Sequence, residues 1–193
     1  MVGTNAAQVA VGFGAAVTLL DVSIERLIYL REIFGNTIEL LHSDPDNRDR
    51  AVSQADPLVG GVLIPGARAP KLVSADLIKT MEPGSVVVDV AVDQGGCVET
   101  CHPTTHDQPT YEVSGVIHYC VANMPGAVAH TSTFALTNET MRYAVAIADK
   151  GLERAVAEDP AVFKGVNTYK GSVTCAPVAE ATNQKYRPLK DLL

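Results

Sequence analysis

The sequence predicts an α/β fold in which helices cover both faces of a doubly wound parallel sheet, followed by C-terminal helices. Short apolar, β-branched runs alternate with stretches of helical periodicity as far as residue 121. These runs are apolar throughout, instead of alternating with polar residues, which is typical of strands buried on both faces. Beyond residue 121, the patterns that recur are helical.

The predicted elements alternate along the chain, and this order indicates a parallel sheet. Predicted strands cover residues 16–21, 37–41, 58–64, 85–90 and 116–121. Predicted helices cover residues 5–13, 23–34, 48–55, 74–81, 137–150, 152–158 and 176–182. Gly35 can adopt the left-handed turn that ends the second helix, and Pro83-Gly84 stops the fourth.

Composition and charge argue against several classes of function. The chain of 193 residues has 15 basic and 22 acidic residues, a net charge of −7. This disfavours nucleic acid, whose phosphates attract clustered Lys and Arg. No apolar run reaches the ~18 residues of a membrane span, so we expect no membrane association. The N-terminus lacks the basic and apolar regions of a signal peptide, so we expect a cytoplasmic location.

The four cysteines do not predict a metal site. Cys97, Cys101 and His102 lie close in sequence, but a structural zinc site would need a second pair of ligands at similar spacing. We therefore expect reduced, structural thiols and no bound metal.

The N-terminal region resembles part of a dinucleotide-binding fingerprint. Gly3 precedes an Ala-rich helix, and Asp21 ends the next strand 18 residues later. An acidic residue at this spacing accepts hydrogen bonds from the adenosine ribose and would repel a 2′-phosphate, which favours NAD over NADP. The alternative is an ordinary aspartate in a turn after a strand.

Three Gly-containing loops follow three successive predicted strands. They are residues 65–70, residues 93–96 with Asp93, and residues 123–126 with Asn123. In a parallel sheet these loops emerge at the carboxyl edge, where ligands of α/β proteins bind. Plain turn chemistry could explain any one of the loops; three together favour a binding site.

Longer motifs make the chain similar to a known family. The motifs lie at residues 3–7 (GTNAA), 62–73 (VLIPGARAPKLV), 93–97 (DQGGC), 102–106 (HPTTH), 119–128 (YCVANMPGAV), 131–138 (TSTFALTN) and 169–171 (YKG). Together they resemble the C-terminal part of the alanine dehydrogenase and pyridine nucleotide transhydrogenase family, alanine dehydrogenase above all. Transhydrogenase subunits and saccharopine-type enzymes share the fold and are more distant.

The resemblance implies a Rossmann-type NAD-binding domain and a role for each matching residue. Asp93 matches the catalytic aspartate of the family, and Asn123 matches an asparagine beside nicotinamide and substrate. Asp21 would hold the adenosine ribose, while Arg26 and Ser43 would lie near the adenosine half. The other implied cofactor contacts are Val2, Gly3, Val62, Leu63, Val90, Ala91, Val92, His102, Val121, Ala122 and Met124. His102 stands where the family usually has Arg.

The family activity implied by the resemblance is the NAD-dependent oxidation of L-alanine to pyruvate and ammonia, carried out by a homo-hexamer. Residues 1–130 would form the NAD(H)-binding domain and residues 131–193 a helical segment belonging with the substrate domain. Family members have a strand before Gly3, and a substrate domain that holds the catalytic His and the substrate-binding Lys and Arg. We expect neither to be encoded here.

We therefore expect this chain alone to be inactive and poorly stable. The strands that we predict to end at Asp21 and Ile64 would have unpaired inner edges, because a dinucleotide fold places its first strand between them. A stand-alone NAD-binding module, or a truncated remnant without catalysis, remains the alternative.

Overall fold

The computed structural model describes residues 2–62, 64 and 68–193, and these residues divide into two compact units. The first unit comprises residues 2–62 and 69–122, and the second comprises residues 123–193 together with Ile64 and Arg68. The predicted domain boundary at residue 130 stays a prediction. No helix among the described residues has the length and apolar composition needed to cross a membrane.

The first unit alternates helices and strands, as the sequence predicts. Its strands are β1 (Thr18–Asp21), β2 (Glu39–His42), β3 (Pro57–Gly60), β4 (Val86–Asp89), β5 (Thr110–Val113) and β6 (Val116–Tyr119). Its helices are α1 (Val2–Gly12), α2 (Ile24–Phe34), α3 (Pro45–Ser53) and α4 (Ala75–Ile78), with a 3-10 helix at Val92–Gln94.

Helix ends in this unit follow from capping residues. The Ser23 hydroxyl accepts the Arg26 amide at 3.2 Å and starts α2, and Gly35 ends the helix with a φ of 58°. Asp44 caps α3 and Pro45 occupies its first turn. This cap explains why α3 begins three residues earlier than the predicted helix at residue 48.

The strands form two sheets. β3, β4 and β6 are parallel neighbours, and β5 adds antiparallel to β6, giving the order β3-β4-β6-β5. β1 and β2 form a separate parallel pair. Among the described strands, β1 and β3 do not pair with each other.

One predicted strand is shorter in the structure, and one strand of the structure was not predicted. The predicted strand at residues 58–64 ends at Gly60, and its position 63 lies outside the described residues, as do positions 65–67 of the first predicted loop. The strand β5 was not predicted, so the sheet is mixed at this edge. Ser114 and Gly115, both with positive φ, form the tight turn that folds β5 back onto β6.

The core of the first unit consists of two apolar clusters. The larger one packs around the β3-β4-β6 sheet and includes the fully buried residues Ile78, Val87, Val98 and Val116. The smaller one joins α1 and α2 to the β1-β2 pair and consists of Ala7, Leu30, Phe34 and Ile38. Each sheet therefore has its own apolar support.

The second unit is mainly helical. Its elements are a 3-10 helix at Met124–Val128, α5 (Ala129–Lys150), α6 (Leu152–Glu158), α7 (Pro160–Gly165), the hairpin β7 (Thr168–Tyr169) and β8 (Ser172–Val173), α8 (Ala176–Ala181) and a 3-10 helix at Leu189–Asp191. A cluster of Ala155, Val156, Val162 and Leu189 forms its core. The predicted C-terminal helices are confirmed; α5 is longer than predicted, and α7 and the hairpin were not predicted.

Candidate functional site

The carboxyl ends of β3, β4 and β6 lie side by side at one edge of the sheet. Gly60 at the end of β3 is in register with Asp89 at the end of β4, and Val88 is in register with Tyr119 at the end of β6. The amide of Val90 donates to the Gly60 carbonyl at 2.8 Å. This edge is where an α/β fold binds its ligand.

Asp93 lies on an ordered loop just beyond β4. It is the second residue of the 3-10 helix Val92–Gln94, and it is exposed, whereas Ala91 and Val92 are buried. Gly95 ends this helix in the left-handed conformation, and the Gly96 amide donates to the Ala91 carbonyl at 3.0 Å. The apolar predicted residues anchor the loop, and the carboxylate of Asp93 is presented to its outer side.

A carboxylate that was not predicted lies beneath this loop. Asp89 is fully buried and accepts the amides of Ala91 and Val98, both at 3.0 Å. The Cys97 thiol lies 3.6 Å from the same carboxylate. Burial, together with the charge of Asp89, raises the pKa of Cys97 to about 12, so this thiol keeps its proton at neutral pH.

The N-terminus of α1 lies against the loop that follows β3. A side chain at Gly61 would begin 3.2 Å from Val2 Cγ1 and 3.6 Å from the Gly3 amide nitrogen. The guanidinium of Arg26 donates to the Thr4 hydroxyl at 2.6 Å, and so ties α2 to the first turn of α1. The structure thus places Val2, Gly3 and Arg26 together.

Asp21 and Ser43 meet at the ends of β1 and β2. The Ser43 amide donates to the Asp21 carbonyl at 3.0 Å, and the Asp21 carboxylate accepts the Ser23 amide at 2.9 Å. The latter contact holds the carboxylate at the turn between β1 and α2. These two predicted adenosine-side residues are therefore neighbours at a second sheet edge.

His102 belongs to a stack of aromatic rings in the first unit. Its ring lies 3.9 Å from that of Tyr111, which in turn lies 5.1 Å from the buried ring of His118. The Tyr111 hydroxyl accepts the His102 amide and donates to the Thr100 carbonyl, each at 3.0 Å. Burial raises the pKa of Tyr111, so the hydroxyl remains a donor. The exposed His102 ring is thereby fixed on its inner side.

The remaining predicted residues fall at the end of the first unit or beyond it. Val121 is buried and Ala122 half-buried, and the Ala122 amide donates to the Thr104 carbonyl at 3.0 Å. Asn123, in the left-handed conformation, and Met124 begin the second unit. Val62 packs against the larger core cluster, and Leu63 lies outside the described residues.

The described cysteines are free thiols, with Cys97, Cys101 and Cys120 buried and Cys175 half-buried. Within the described ranges, no group of three or more His, Cys, Asp or Glu side chains is arranged to hold a metal ion.

The chain matches a known family model and close relatives. The model described as "Alanine dehydrogenase/PNT, C-terminal domain" matches residues 1–176. The alanine dehydrogenase of Methanococcus maripaludis is 59% identical over 100% of the chain and 52% of its own length. That of Bacillus subtilis is 55% identical over 100% of the chain and 51% of its own length. The chain spans about half the length of these curated relatives.

Solved structures agree with the sequence matches. An L-alanine dehydrogenase structure superposes with a TM-score of 0.83 and 53% identity, over 94% of this chain and 50% of that one. A transhydrogenase structure from Sinorhizobium meliloti superposes with a TM-score of 0.57 and 30% identity, over 66% of this chain and 36% of that one. The predicted fold class is confirmed by the higher-scoring match.

Proposed function

Because the chain belongs to the alanine dehydrogenase/PNT C-terminal domain family, we propose that it is the NAD(H)-binding portion of an NAD-dependent alanine dehydrogenase. The overall reaction converts L-alanine, NAD⁺ and water to pyruvate, ammonia and NADH. The similarity to alanine dehydrogenases over the whole chain supports this choice, whereas the transhydrogenase match is weaker and covers 66% of the chain.

The observation that carries the proposal is the close approach of the Gly61 backbone to the first turn of α1. A helix N-terminus offers unpaired amides and a positive dipole end, and both favour a phosphate group. The absence of a side chain at Gly61 lets the loop after β3 pack closely against this turn. These features fit the pyrophosphate of a dinucleotide.

Asp21 and Asp93 fit the two ends of the same ligand. The carboxylate of Asp21, held at the end of β1 by the Ser23 amide, can accept hydrogen bonds from ribose hydroxyls. Its charge would repel the 2′-phosphate of NADP. Asp93, exposed at the carboxyl end of β4, would face the nicotinamide end.

The chemistry at the nicotinamide end divides between cofactor and protein. When bound, NAD⁺ supplies the acceptor for the hydride leaving the α-carbon of the amino acid. We propose that the Asp93 carboxylate orients the substrate amine or a water molecule and holds or moves a proton at its oxygen atoms. The Asn123 amide, which can donate and accept, would fix the orientation of substrate and nicotinamide.

The cofactor proposal is tested by titrating the chain with NADH and NADPH in a calorimeter. We expect NADH to bind more tightly, and Asp21→Ala to weaken NADH binding by about 1.5–3 kcal/mol, the contribution of a charge-assisted hydrogen bond. Asp21→Asn keeps an acceptor for Ser23 and removes the charge, so it should narrow the difference between the two cofactors. Asp76→Asn, at an exposed carboxylate paired with Lys79, is the control. NADPH binding by the unsubstituted chain as tight as, or tighter than, NADH binding would contradict the cofactor proposal.

The catalytic proposal is tested in an enzyme that carries this chain together with a substrate-binding half. Asp93→Asn should abolish alanine-dependent NADH formation and leave NADH binding nearly intact, and Asp107→Asn, on an exposed loop, should change neither. NADH binding without turnover in the unsubstituted protein would favour the alternative of a binding module. The hexamer and the cytoplasmic location remain predictions from the resemblance.

A further inference from the structure

We propose that Asp89 is a positioning residue whose buried carboxylate closes the loop that carries Asp93. The catalytic significance of this closure rests on the function proposed above for Asp93. The closure itself is a property of the chain and can be tested without cofactor or substrate.

The carboxylate of Asp89 joins the two ends of the loop. Oδ1 accepts the Ala91 amide at 3.0 Å, where the chain leaves β4, and Oδ2 accepts the Val98 amide at 3.0 Å, where the loop ends. The Cys97 thiol lies 3.6 Å from Oδ1. One rigid side chain therefore sets the separation between the start and the end of the segment that contains Asp93.

The side chain of Lys71 also holds this loop. The ammonium group of Lys71 donates to the Gly95 carbonyl at 2.6 Å and to the Val98 carbonyl at 3.1 Å. The backbone next to Lys71 continues the contact, since the Leu72 amide donates to the Cys97 carbonyl at 2.8 Å. The backbone on the C-terminal side of Asp93 is thus held by both the Asp89 carboxylate and the Lys71 ammonium group.

The Asp89 carboxylate occupies the space that a side chain at Gly96 would need. A side chain at Gly96 would begin 2.7 Å from Asp89 Oδ2 and 3.6 Å from Lys71 Nζ, and Gly96 has a φ of +71°. A residue other than glycine at this position would displace the carboxylate or strain the backbone. The loop can therefore take this shape only with glycine next to Asp89.

A purely structural role does not explain a carboxylate at this place. Burying a charged or polar group costs free energy that an apolar residue would not, and strand ends in a core usually carry apolar residues. Asp89 is fully buried, and the groups it binds are the amides of this one loop and the Cys97 thiol. The effect of the buried carboxylate is thus to fix the geometry of the loop that contains Asp93, four residues further along the chain.

The experiment compares the chain with Asp89→Asn, an isosteric change that keeps one acceptor oxygen in place of two. Amide hydrogen exchange, measured by NMR without cofactor, should become at least about tenfold faster over residues 91–98, because one of the two closing hydrogen bonds is lost. Amides of β6, residues 116–119, which lie in the same sheet as Asp89, should exchange as before. Asp76→Asn, at an exposed carboxylate, is the control and should change neither region.

Two outcomes of this experiment would overturn the closure. Unchanged exchange over residues 91–98 would show that Asp89 does not hold the loop, and uniformly faster exchange over the first unit would show a general loss of stability. Lys71→Met provides a second variant if Asp89→Asn does not fold. It removes the hydrogen bonds from the Lys71 ammonium to the Gly95 and Val98 carbonyls, and should accelerate exchange at residues 95–98 alone.

The positioning role is tested by turnover in the enzyme form described above. We expect Asp89→Asn to lower kcat by about tenfold or more with a smaller change in KM, since Asp93 would be present but misplaced. An unchanged kcat despite faster loop exchange would overturn positioning. If the unsubstituted protein binds no NADH and has no turnover, the proposed function fails, while the exchange result still decides whether Asp89 closes the loop.

Discussion

A group of polar contacts in the first unit is buried, whereas a comparable group in the second unit is exposed. In the first unit, Asp89 and His118 are fully buried and bind backbone or side-chain groups of nearby loops. In the second unit, Glu158 pairs with Lys150 at 2.6 Å and with Arg154 at 2.7 Å, and all three side chains are exposed. Surface ion pairs contribute little to stability, whereas a buried group that loses its partner is costly. Substitutions at these buried groups of the first unit should therefore have large effects, and substitutions at the exposed pairs of the second should have small ones.

The largest effect is expected from Gly60→Ala at the end of β3. The added Cβ would lie 2.5 Å from the Cys97 sulfur and 3.3 Å from the Asp89 carboxylate. Overpacking of this kind should lower the free energy of unfolding by about 3 kcal/mol, measured by urea denaturation. The double variant Gly60→Ala/Cys97→Ala should be less destabilised than the sum of its single changes, because the closest atom is removed. Strict additivity would contradict the packing described for this site.

His118→Leu should have the next largest effect. The Nδ1 of this buried ring donates to the Val116 carbonyl at 2.9 Å, and Nε2 lies 2.7 Å from the Thr100 hydroxyl. Leucine cannot hydrogen-bond to the Val116 carbonyl or to the Thr100 hydroxyl. The free energy of unfolding, measured in urea, should therefore fall by about 2 kcal/mol. The exposed His42 gives the matched control, and His42→Leu should change the unfolding free energy far less. Equal losses from the two variants would refute the difference between buried and exposed polar groups.

A smaller effect is expected on the pH dependence of the free energy of unfolding, through the Cys97 thiol of the first unit. Burial raises the pKa of Cys97 from its ordinary 9.0 to about 12. The protonated thiol is favoured in the folded state, so its contribution to stability is complete below pH 9 and is lost as the pH rises toward 12. At pH 10 the loss should be about 1 kcal/mol relative to pH 8. Cys97→Ser should show a shallower decline over this range, and identical declines would contradict the assignment.

The smallest effect is expected from Glu158→Gln in the second unit. Hydrogen bonds from Lys150 and Arg154 lower the pKa of Glu158 to about 2. The stabilisation of the folded state that follows from this lower pKa is complete above pH 4.5 and is lost as the pH falls through 2. Because the carboxylate is exposed, thermal melting at pH 7 should shift less than for any of the changes above. A larger shift than that of His118→Leu would reverse the comparison between the units.

The sequence predicted those elements whose signals are local. Ser23 and Gly35 mark the ends of α2 within one residue, and the apolar runs locate β1, β2, β4 and β6. The predicted strand at residues 58–64 is too long because residues 61–64 are mostly apolar, although the sheet pairing ends at Gly60. An apolar run alone does not show where the neighbouring strand stops.

The sequence did contain a signal for β5. Thr110–Val113 alternates in burial and is followed by Ser114-Gly115, a turn pair with positive φ at both positions. Such a pair between two β-branched runs is typical of a hairpin. The strand was not predicted because residues 110–113 are not a continuous apolar run, unlike the strands that were predicted.

The candidate site could be predicted only in part. Asp21 ends a strand at a recognisable spacing from Gly3, and Asp93 follows a strand, so pattern and resemblance predict both as site residues. Asp89 also ends a strand, but its role depends on contacts with Val98 and Cys97, which are eight or nine residues away and cannot be located from the pattern. Long-range contacts of this kind require the fold.

The division of the first unit into two sheets has a thermodynamic consequence. The β1-β2 pair has its own apolar cluster of Ala7, Leu30, Phe34 and Ile38, separate from that of the larger sheet. Each sheet can therefore act as its own cooperative unfolding unit, and the smaller one should open first as the temperature rises. A dinucleotide bound at Asp21 and Asp93 would connect the two, so saturation with cofactor should merge two melting steps into one. In that case the cofactor would act as a structural tie between two halves of its own binding domain.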